Sequence, residues 1–121
     1  MFAGEVDLKT WYKPKIDKKT LKELSKRSDI KGLLDISVFV VALILSGYLC
    51  ILSWGTLWSI PALLLYGNIF YCKIISIQHE TNHETYFKTR ALNKFFYHIT
   101  SLLGGFEAVR WKWSHFHHHT Y

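Results

Sequence analysis

One long apolar block, residues 36–77, constrains the fold more than any other feature of the sequence. It divides into ISVFVVALILSGYLCILSW and LWSIPALLLYGNIFYCKIISI, and its only charged residue is Lys73. As a helix rising about 1.5 Å per residue, each part reaches across a bilayer core of about 30 Å. A buried soluble hairpin is the alternative, but two such runs in succession are rare in soluble cores. The block therefore predicts two membrane spans, at about 36–54 and 57–77, joined by a very short turn.

Basic residues are unevenly distributed around this block. Of the 15 Lys and Arg residues, nine precede the first span, six lie from Lys73 onward, and none lies in the turn. The positive-inside rule then predicts a multi-pass protein whose N-terminus and histidine-rich region are both cytoplasmic. The net charge of +6 suits either nucleic acid or an anionic membrane surface. Because the apolar block favours the membrane, we expect membrane lipid and no nucleic acid as a partner.

An amphipathic stretch at about 92–106 follows the second span. It is too short and too polar to cross a bilayer, so it predicts a helix lying in the cytoplasmic interface. The glycine pair Gly104-Gly105 is expected to end this helix. Apolar residues recur at helical spacing along it: Leu92, Phe95, Phe96, Ile99, Leu102, Leu103 and Phe106.

The first of two histidine clusters begins just after the second span. His79 and His83 stand four residues apart, so on a continuing helix they share one face and can hold a metal ion or two neighbouring ions. With Glu80 they also match H-E-x-x-H, in which two histidines bind zinc and the glutamate is the base of a metalloprotease. For this cluster taken alone, the alternative to a metal site is a pair of hydrated histidines at a helix end.

The second cluster follows 32 positions after the first, in the segment HFHHH. His115, His118 and His119 occupy positions i, i+3 and i+4, which lie on one helical face. His117 points about 160° away from His115, and His98 belongs to neither cluster. Because six of the seven histidines fall into two clusters at the same predicted membrane face, we expect them to form one shared metal site.

The number of histidines limits the chemistry. Five well-placed imidazoles exceed the three protein ligands of a catalytic zinc site, and imidazole suits iron as well as zinc. An oxygen-activating iron pair needs many ligands on rigid elements, and helices rising from a membrane are rigid. A site at the membrane surface also favours a lipid or another apolar substrate.

The segments HETNHETYFKTRALN and WKWSHFHHHTY, with the hairpin before them, resemble the membrane fatty-acid desaturases and their hydroxylase relatives. That family has a first box of two histidines just after a membrane hairpin and an H-x-x-H-H box some tens of residues later. The resemblance covers roughly residues 57–121. It implies a membrane-bound oxidoreductase of lipid metabolism that uses two iron ions, O2 and two electrons to desaturate or hydroxylate a fatty acyl chain.

The resemblance also assigns roles. It implies a fatty acyl lipid as substrate and a ferredoxin or a cytochrome b5-type protein as electron donor. The chain would divide into a basic cytoplasmic segment at 1–32 and a partial desaturase domain at 33–121. The family's iron ligands carry over, with no catalytic residue beyond them, to His79, His83, His115, His118 and His119.

One departure from the family is a missing third box, because the family has another H-x-x-H-H after a second hairpin. We therefore expect an N-terminal part of a longer enzyme that is inactive by itself. A membrane zinc metalloprotease built on His79, Glu80 and His83 is one alternative, and a small membrane protein that binds metal or lipid without turnover is another. The expected fold is an all-α membrane protein, with a transmembrane helical hairpin followed by interfacial or cytoplasmic helices that carry two histidine boxes.

Overall fold

The computed structural model describes residues 16–120, and every regular element in that range is an α-helix. The all-helical fold class is thereby confirmed for this part of the chain. Residues 1–15, which include much of the predicted basic segment, and residue 121 lie outside the described range. The helices are α1 (Lys18–Leu24), α2 (Asp29–Leu52), α3 (Ser59–Asn82), α4 (Arg90–Leu103) and α5 (Ala108–Thr120).

Helices α2 and α3 form an antiparallel hairpin. The Ser59 hydroxyl donates to the Ser53 carbonyl (2.6 Å) where the chain turns, and the small residues Ser46 and Gly47 lie along the contact, Gly47 facing the Tyr66 ring. Both helices are long and apolar enough to cross a membrane. Their apolar windows are only 6% and 11% buried, whereas the core helix of a soluble protein is mostly buried.

The two apolar helices extend further than the predicted spans. α2 begins at Asp29, ahead of the expected start at Ile36, because the Ser28 hydroxyl caps its first turn by accepting from the Lys31 amide. α3 continues past Ile77 to Asn82, so the first histidine cluster begins inside the helix. The amphipathic helix α4 lies close to its expected range of 92–106, two residues earlier at its start and three at its end.

An ion pair joins the hairpin near its open end. Lys73, the one charged residue of the apolar block, places its ammonium 2.6 Å from the Asp35 carboxylate on α2. Asp35 also accepts a hydrogen bond from the Tyr86 hydroxyl, which comes from the loop after α3. Partial burial, with the neighbouring Asp35 carboxylate, raises the pKa of Tyr86 well above its usual range, so the phenol remains a donor. Three segments thus meet at one carboxylate.

The loop from His83 to Thr89 is fixed on both sides. Glu84 ends α3 in the left-handed region (φ 56°), and its side chain pairs with Arg90 (2.9 Å). Phe87 is fully buried, and both its backbone groups are hydrogen-bonded to the Asn93 amide, at 3.0 and 2.9 Å. The two carboxylate oxygens of Asp29 accept from the backbone and hydroxyl of Thr89 (2.8 and 2.7 Å). The loop is therefore anchored to α2 and to α4.

Helix α4 packs on α3 through its polar side. Tyr97, Thr100 and Ser101 are buried, whereas Phe95 and Leu102 are 56% and 80% exposed. A helix that hides small polar groups and exposes large apolar ones is typical of an element made to contact lipid or another apolar surface. Gly104 caps its end and Gly105 adopts φ +73°, as expected for a glycine pair that terminates a helix.

We predict that Gly32→Ala destabilises the fold. A Cβ at Gly32 would lie 2.6 Å from the Phe87 ring, which is fully buried and has no room to move. The cost should be about 1–3 kcal/mol, as for other overpacked sites. Gly67→Ala on α3 is the matched control, because nothing lies within 4 Å of its Cβ position. Thermal unfolding followed by circular dichroism measures both, and equal effects of the two substitutions would contradict the packing argument.

Candidate metal centre

Four histidines from two helices converge at the end of the hairpin. His79 and His83 come from the last turn and the C-cap of α3, and His115 and His119 come from α5. One ring nitrogen from each lies within 4.8 Å of the corresponding nitrogen of the others. We call these four residues the histidine group. In the part of the chain that the structure describes, it is the one group of three or more metal-binding side chains.

Helical spacing places each pair, and the loop brings the pairs together. Residues four apart on a helix are neighbours on one face. The ring centroids of His79 and His83 are 4.8 Å apart, and those of His115 and His119 are 4.5 Å apart. Between the helices, the His79 and His115 rings are 4.7 Å apart. Distances within and between the helices are therefore nearly equal, as around a single centre.

The nitrogen contacts do not form an ordinary hydrogen-bond network. The His115 Nε2 lies 2.9 Å from the Nε2 of His83 and 2.9 Å from the Nε2 of His119. A ring nitrogen offers either one proton or one lone pair, so it cannot satisfy both contacts fully. A cation that accepts a lone pair from each nitrogen can. Nitrogens at about 2.0–2.1 Å from a tetrahedral metal lie about 3.4 Å from one another, a value between the 2.9 Å contacts and the 4.8 Å limit of the histidine group.

The environment favours the neutral form of His83 and His115, which a metal ligand requires. Loss of hydration lowers the pKa of His83, and the neighbouring His79 and His119 rings lower it further. The pKa of His115 is lowered by the same causes, first by burial and then by the other imidazoles. Protonation of both rings would place two positive charges side by side. His83 and His115 therefore present lone pairs at neutral pH.

Trp111 forms one wall of the site. Its ring stacks on His115, with centroids 4.5 Å apart and planes at 12°, and meets the edge of His79 at 6.4 Å. Two contacts place the beginning of α5: the Tyr97 hydroxyl donates to the Ala108 carbonyl (2.6 Å), and Phe106 packs against Trp111. These aromatic contacts of α4, the linker and α5 thus orient His115 toward α3.

A cavity of about 370 Å³ opens beside the histidine group. Phe116 and the Lys112 side chain line it, together with Asn82 from the end of α3. Phe116 gives the cavity an apolar wall, and Lys112 gives its lining one positive charge. Its lining therefore suits a molecule that has an apolar part and an acceptor or anionic group.

Four of the five predicted iron ligands come together, and the fifth lies alongside. His118 is exposed and not part of the histidine group, and its ring is 5.7 Å from His119 and 6.4 Å from His115. His98 lies outside the group, with its ring against Tyr97 (5.5 Å), and His117 is exposed and also outside it.

Sequence reasoning missed the contacts that support the ligands. It did not connect Trp111, Tyr86 or Asn93 with the site. Trp111 precedes His115 by four positions, and this W-x-x-x-H spacing is the local signal for their stack, because residues four apart on a helix touch. For Tyr86 the sequence holds no comparable signal, since its partner Asp35 lies 51 positions earlier in the chain. Asn93 binds the backbone of Phe87 six positions earlier, across the start of α4, which is not a helical spacing.

No family model, curated protein or solved structure matches this chain.

We predict that His115→Ala removes most of the bound metal, because His115 contacts two other nitrogens of the group. His79→Ala, His83→Ala and His119→Ala should each weaken binding by at least about tenfold, since even partners outside the ligand shell cost that much. His118→Ala should cost less. The measurement is the ratio of zinc or iron to protein by mass spectrometry of elements, after anaerobic loading and desalting.

His98→Ala is the control for this series, because it removes an imidazole from the same chain outside the histidine group. It should leave the metal content unchanged. If His98→Ala lost as much metal as His115→Ala, or if none of the four substitutions reduced binding, the histidine group would not be a metal site.

Proposed function

We propose that the chain supplies a histidine-ligated iron site for the O2-dependent oxidation of a fatty acyl chain at a membrane surface, as a desaturase or a related hydroxylase. The observation that carries the proposal is the convergence of His79, His83, His115 and His119 at the end of an apolar helical hairpin. The resemblance to membrane fatty-acid desaturases supports it, because the same histidines belong to the two boxes that the family shares.

The length of α3 supports a site just outside the bilayer. Helix α3 has 24 residues, or about 36 Å, and exceeds a hydrocarbon core of about 30 Å. If its first residues lie at the far interface, then twenty residues reach Gln78, and His79 emerges at the near interface. Phe95 and Leu102 on the exposed side of α4 would then lie against lipid. The site would open where acyl chains meet the headgroups.

Iron fits the donor set, because neutral imidazoles are ligands for iron as for zinc and copper. His79, His83, His115 and His119 would hold one iron, and His118 is the next imidazole available to a second. Bound iron would supply the activation of O2 with electrons from a ferredoxin or cytochrome b5-type donor. In a desaturation, a –CH2–CH2– unit, O2, two electrons and two protons yield –CH=CH– and two waters.

The protein's own residues would bind the lipid substrate and orient the metal ligands. The stack of Trp111 on His115 holds the ring in place and covers one side of the site from water. In the adjoining cavity, Phe116 offers an apolar surface to a lipid chain and Lys112 a charge to its polar end. Exclusion of water from such a site limits side reactions of a strong oxidant.

The histidine group argues against a zinc protease. A catalytic zinc has three protein ligands and keeps a fourth position for water, whereas four imidazoles here surround one point. Glu80, the residue that would act as base, is exposed and outside the group. A four-histidine site would close around zinc and leave no position for the hydrolytic water.

We predict that both flanks of the hairpin face the cytoplasm. The basis is the distribution of basic residues, with none between α2 and α3. After Cys50 and Cys72 are replaced by serine, a cysteine at Gly55 should react with an impermeant maleimide added outside intact cells, and a cysteine at Thr120 should not. Labelling at Thr120 but not at Gly55 would show the opposite orientation and contradict the prediction.

We predict that acyl-chain oxidation requires the histidine group and not Glu80. The protein is expressed in a host membrane, and the acyl lipids are analysed by mass spectrometry for new double bonds or hydroxyl groups. His83→Ala and His115→Ala should lower product by more than about 100-fold, because loss of a ligand exceeds the loss of an outer-shell partner. Glu80→Gln and His98→Ala should retain product.

The 121-residue chain alone should bind metal but not turn over, because four or five imidazoles leave a second iron short of ligands. Acyl oxidation by the purified chain, with iron and a donor supplied, would contradict that expectation. Zinc in the purified full-length protein, together with peptide hydrolysis that Glu80→Gln abolishes, would replace the oxidation proposal with the protease. Metal binding without acyl oxidation or peptide hydrolysis would indicate a protein that binds metal without turnover.

A further inference from the structure

A second candidate site lies at the opposite end of α2 from the turn. A cleft of about 650 Å³ opens between the α1–α2 linker and the loop after α3, and a neighbouring lobe reaches Thr85 and Tyr86. Its size is within the usual range for small-molecule sites, about 300–1,000 Å³. Two separate segments supply its cations, which are Lys26, Arg27, Lys31 and Lys88.

The cleft carries an excess of unpaired positive charge. Among the described residues the two salt bridges are Asp35–Lys73 and Glu84–Arg90, so none of the four cations is in one. Of the two carboxylates in the lining, Asp29 accepts hydrogen bonds from Thr89 on both oxygens and also attracts the Lys88 ammonium, so the four cations exceed the two acids by two charges. Glu23 is the other acid. The cleft therefore attracts an anion that carries more than one acceptor oxygen.

The position of the cleft along α2 matches the depth of the lipid headgroups in a bilayer. Asp29 lies 23 residues from Leu52 along α2, or about 34 Å, which exceeds the hydrocarbon core of about 30 Å. With the turn at the far interface, as in the proposed membrane placement, Lys31 and the linker lie at the level of phosphate groups. The apolar residues Leu24 and Ile30, 78% and 71% exposed, lie at the edge of the same cleft.

We propose that this cleft binds the phosphate headgroup of an anionic phospholipid in the cytoplasmic leaflet. The inference rests on the proposed membrane placement but not on the metal or the oxidation chemistry. Lys26 and Arg27 from the linker and Lys31 from the first turn of α2 hold the phosphate, and Lys88 contacts it from the loop. Since the same loop leads from His83 to α4, a bound lipid fixes the segment that joins the two histidine pairs.

The test is lipid binding by the purified chain in detergent, followed by native mass spectrometry. Phosphatidylglycerol should bind at least about tenfold more tightly than phosphatidylcholine, because each basic residue near the surface contributes about 1 kcal/mol. The triple variant K26Q/R27Q/K31Q should lose this preference. Lys88→Gln alone, on the other segment, should weaken it by a smaller factor, and it serves as the readout if the triple variant does not fold.

The matched control is K18Q/K19Q/K22Q, which removes the same charge from α1 outside the cleft lining. It should keep the preference for phosphatidylglycerol. Equal losses in both triple variants would overturn the site in favour of diffuse attraction. Equal binding of the two lipids would also overturn it, as would inorganic phosphate alone stabilising the chain to the same extent. Resistance to alkaline extraction, measured on the same variants, reports membrane insertion separately, so a failed placement is distinguishable from a failed lipid site.

Discussion

The anchoring of the loop at Phe87 is the interaction on which the rest of the structure depends. Phe87 is fully buried beside Gly32, with its backbone paired to Asn93. Because Gly32 belongs to α2 and Asn93 to α4, this one residue fixes where the chain goes after α3. Without that anchor, helical spacing would still pair His79 with His83 and His115 with His119. The loop after α3 would then no longer help to bring the two pairs together.

Polar groups in this fold are concentrated where helices must be held in one register. The Asp35–Lys73 pair joins the hairpin, and the polar side of α4 packs on α3, while large apolar side chains remain outside. That distribution reverses the usual pattern of a soluble domain, and it agrees with the proposal that the outside is largely lipid. In an apolar surrounding, paired and hydrogen-bonded side chains specify the contact between helices better than hydrophobic contact does.

The helix faces that carry side chains follow from the helical period and could be predicted from the sequence. Contacts between residues far apart in the chain could not. The spacing of four within each cluster was sufficient to predict which faces carry His79 and His83, and the length of the apolar block predicted a hairpin. The ion pair of Lys73 was not predicted, because its partner lies 38 positions earlier in the chain. His118 was grouped with His115 and His119 on spacing alone, but i+3 and i+4 diverge enough on a helix that only His119 joins the group.

The central claim is that two helices share one metal centre of four imidazoles. X-ray absorption spectroscopy of the zinc-loaded chain tests it most directly, since the fine structure counts imidazole ligands. The claim predicts four nitrogen ligands at about 2.0–2.1 Å, with multiple scattering from four rings, and a loss of one ring in His119→Ala. Two or fewer imidazoles completed by oxygen, unchanged in His119→Ala, would show that the helices bind metal separately and would contradict the claim.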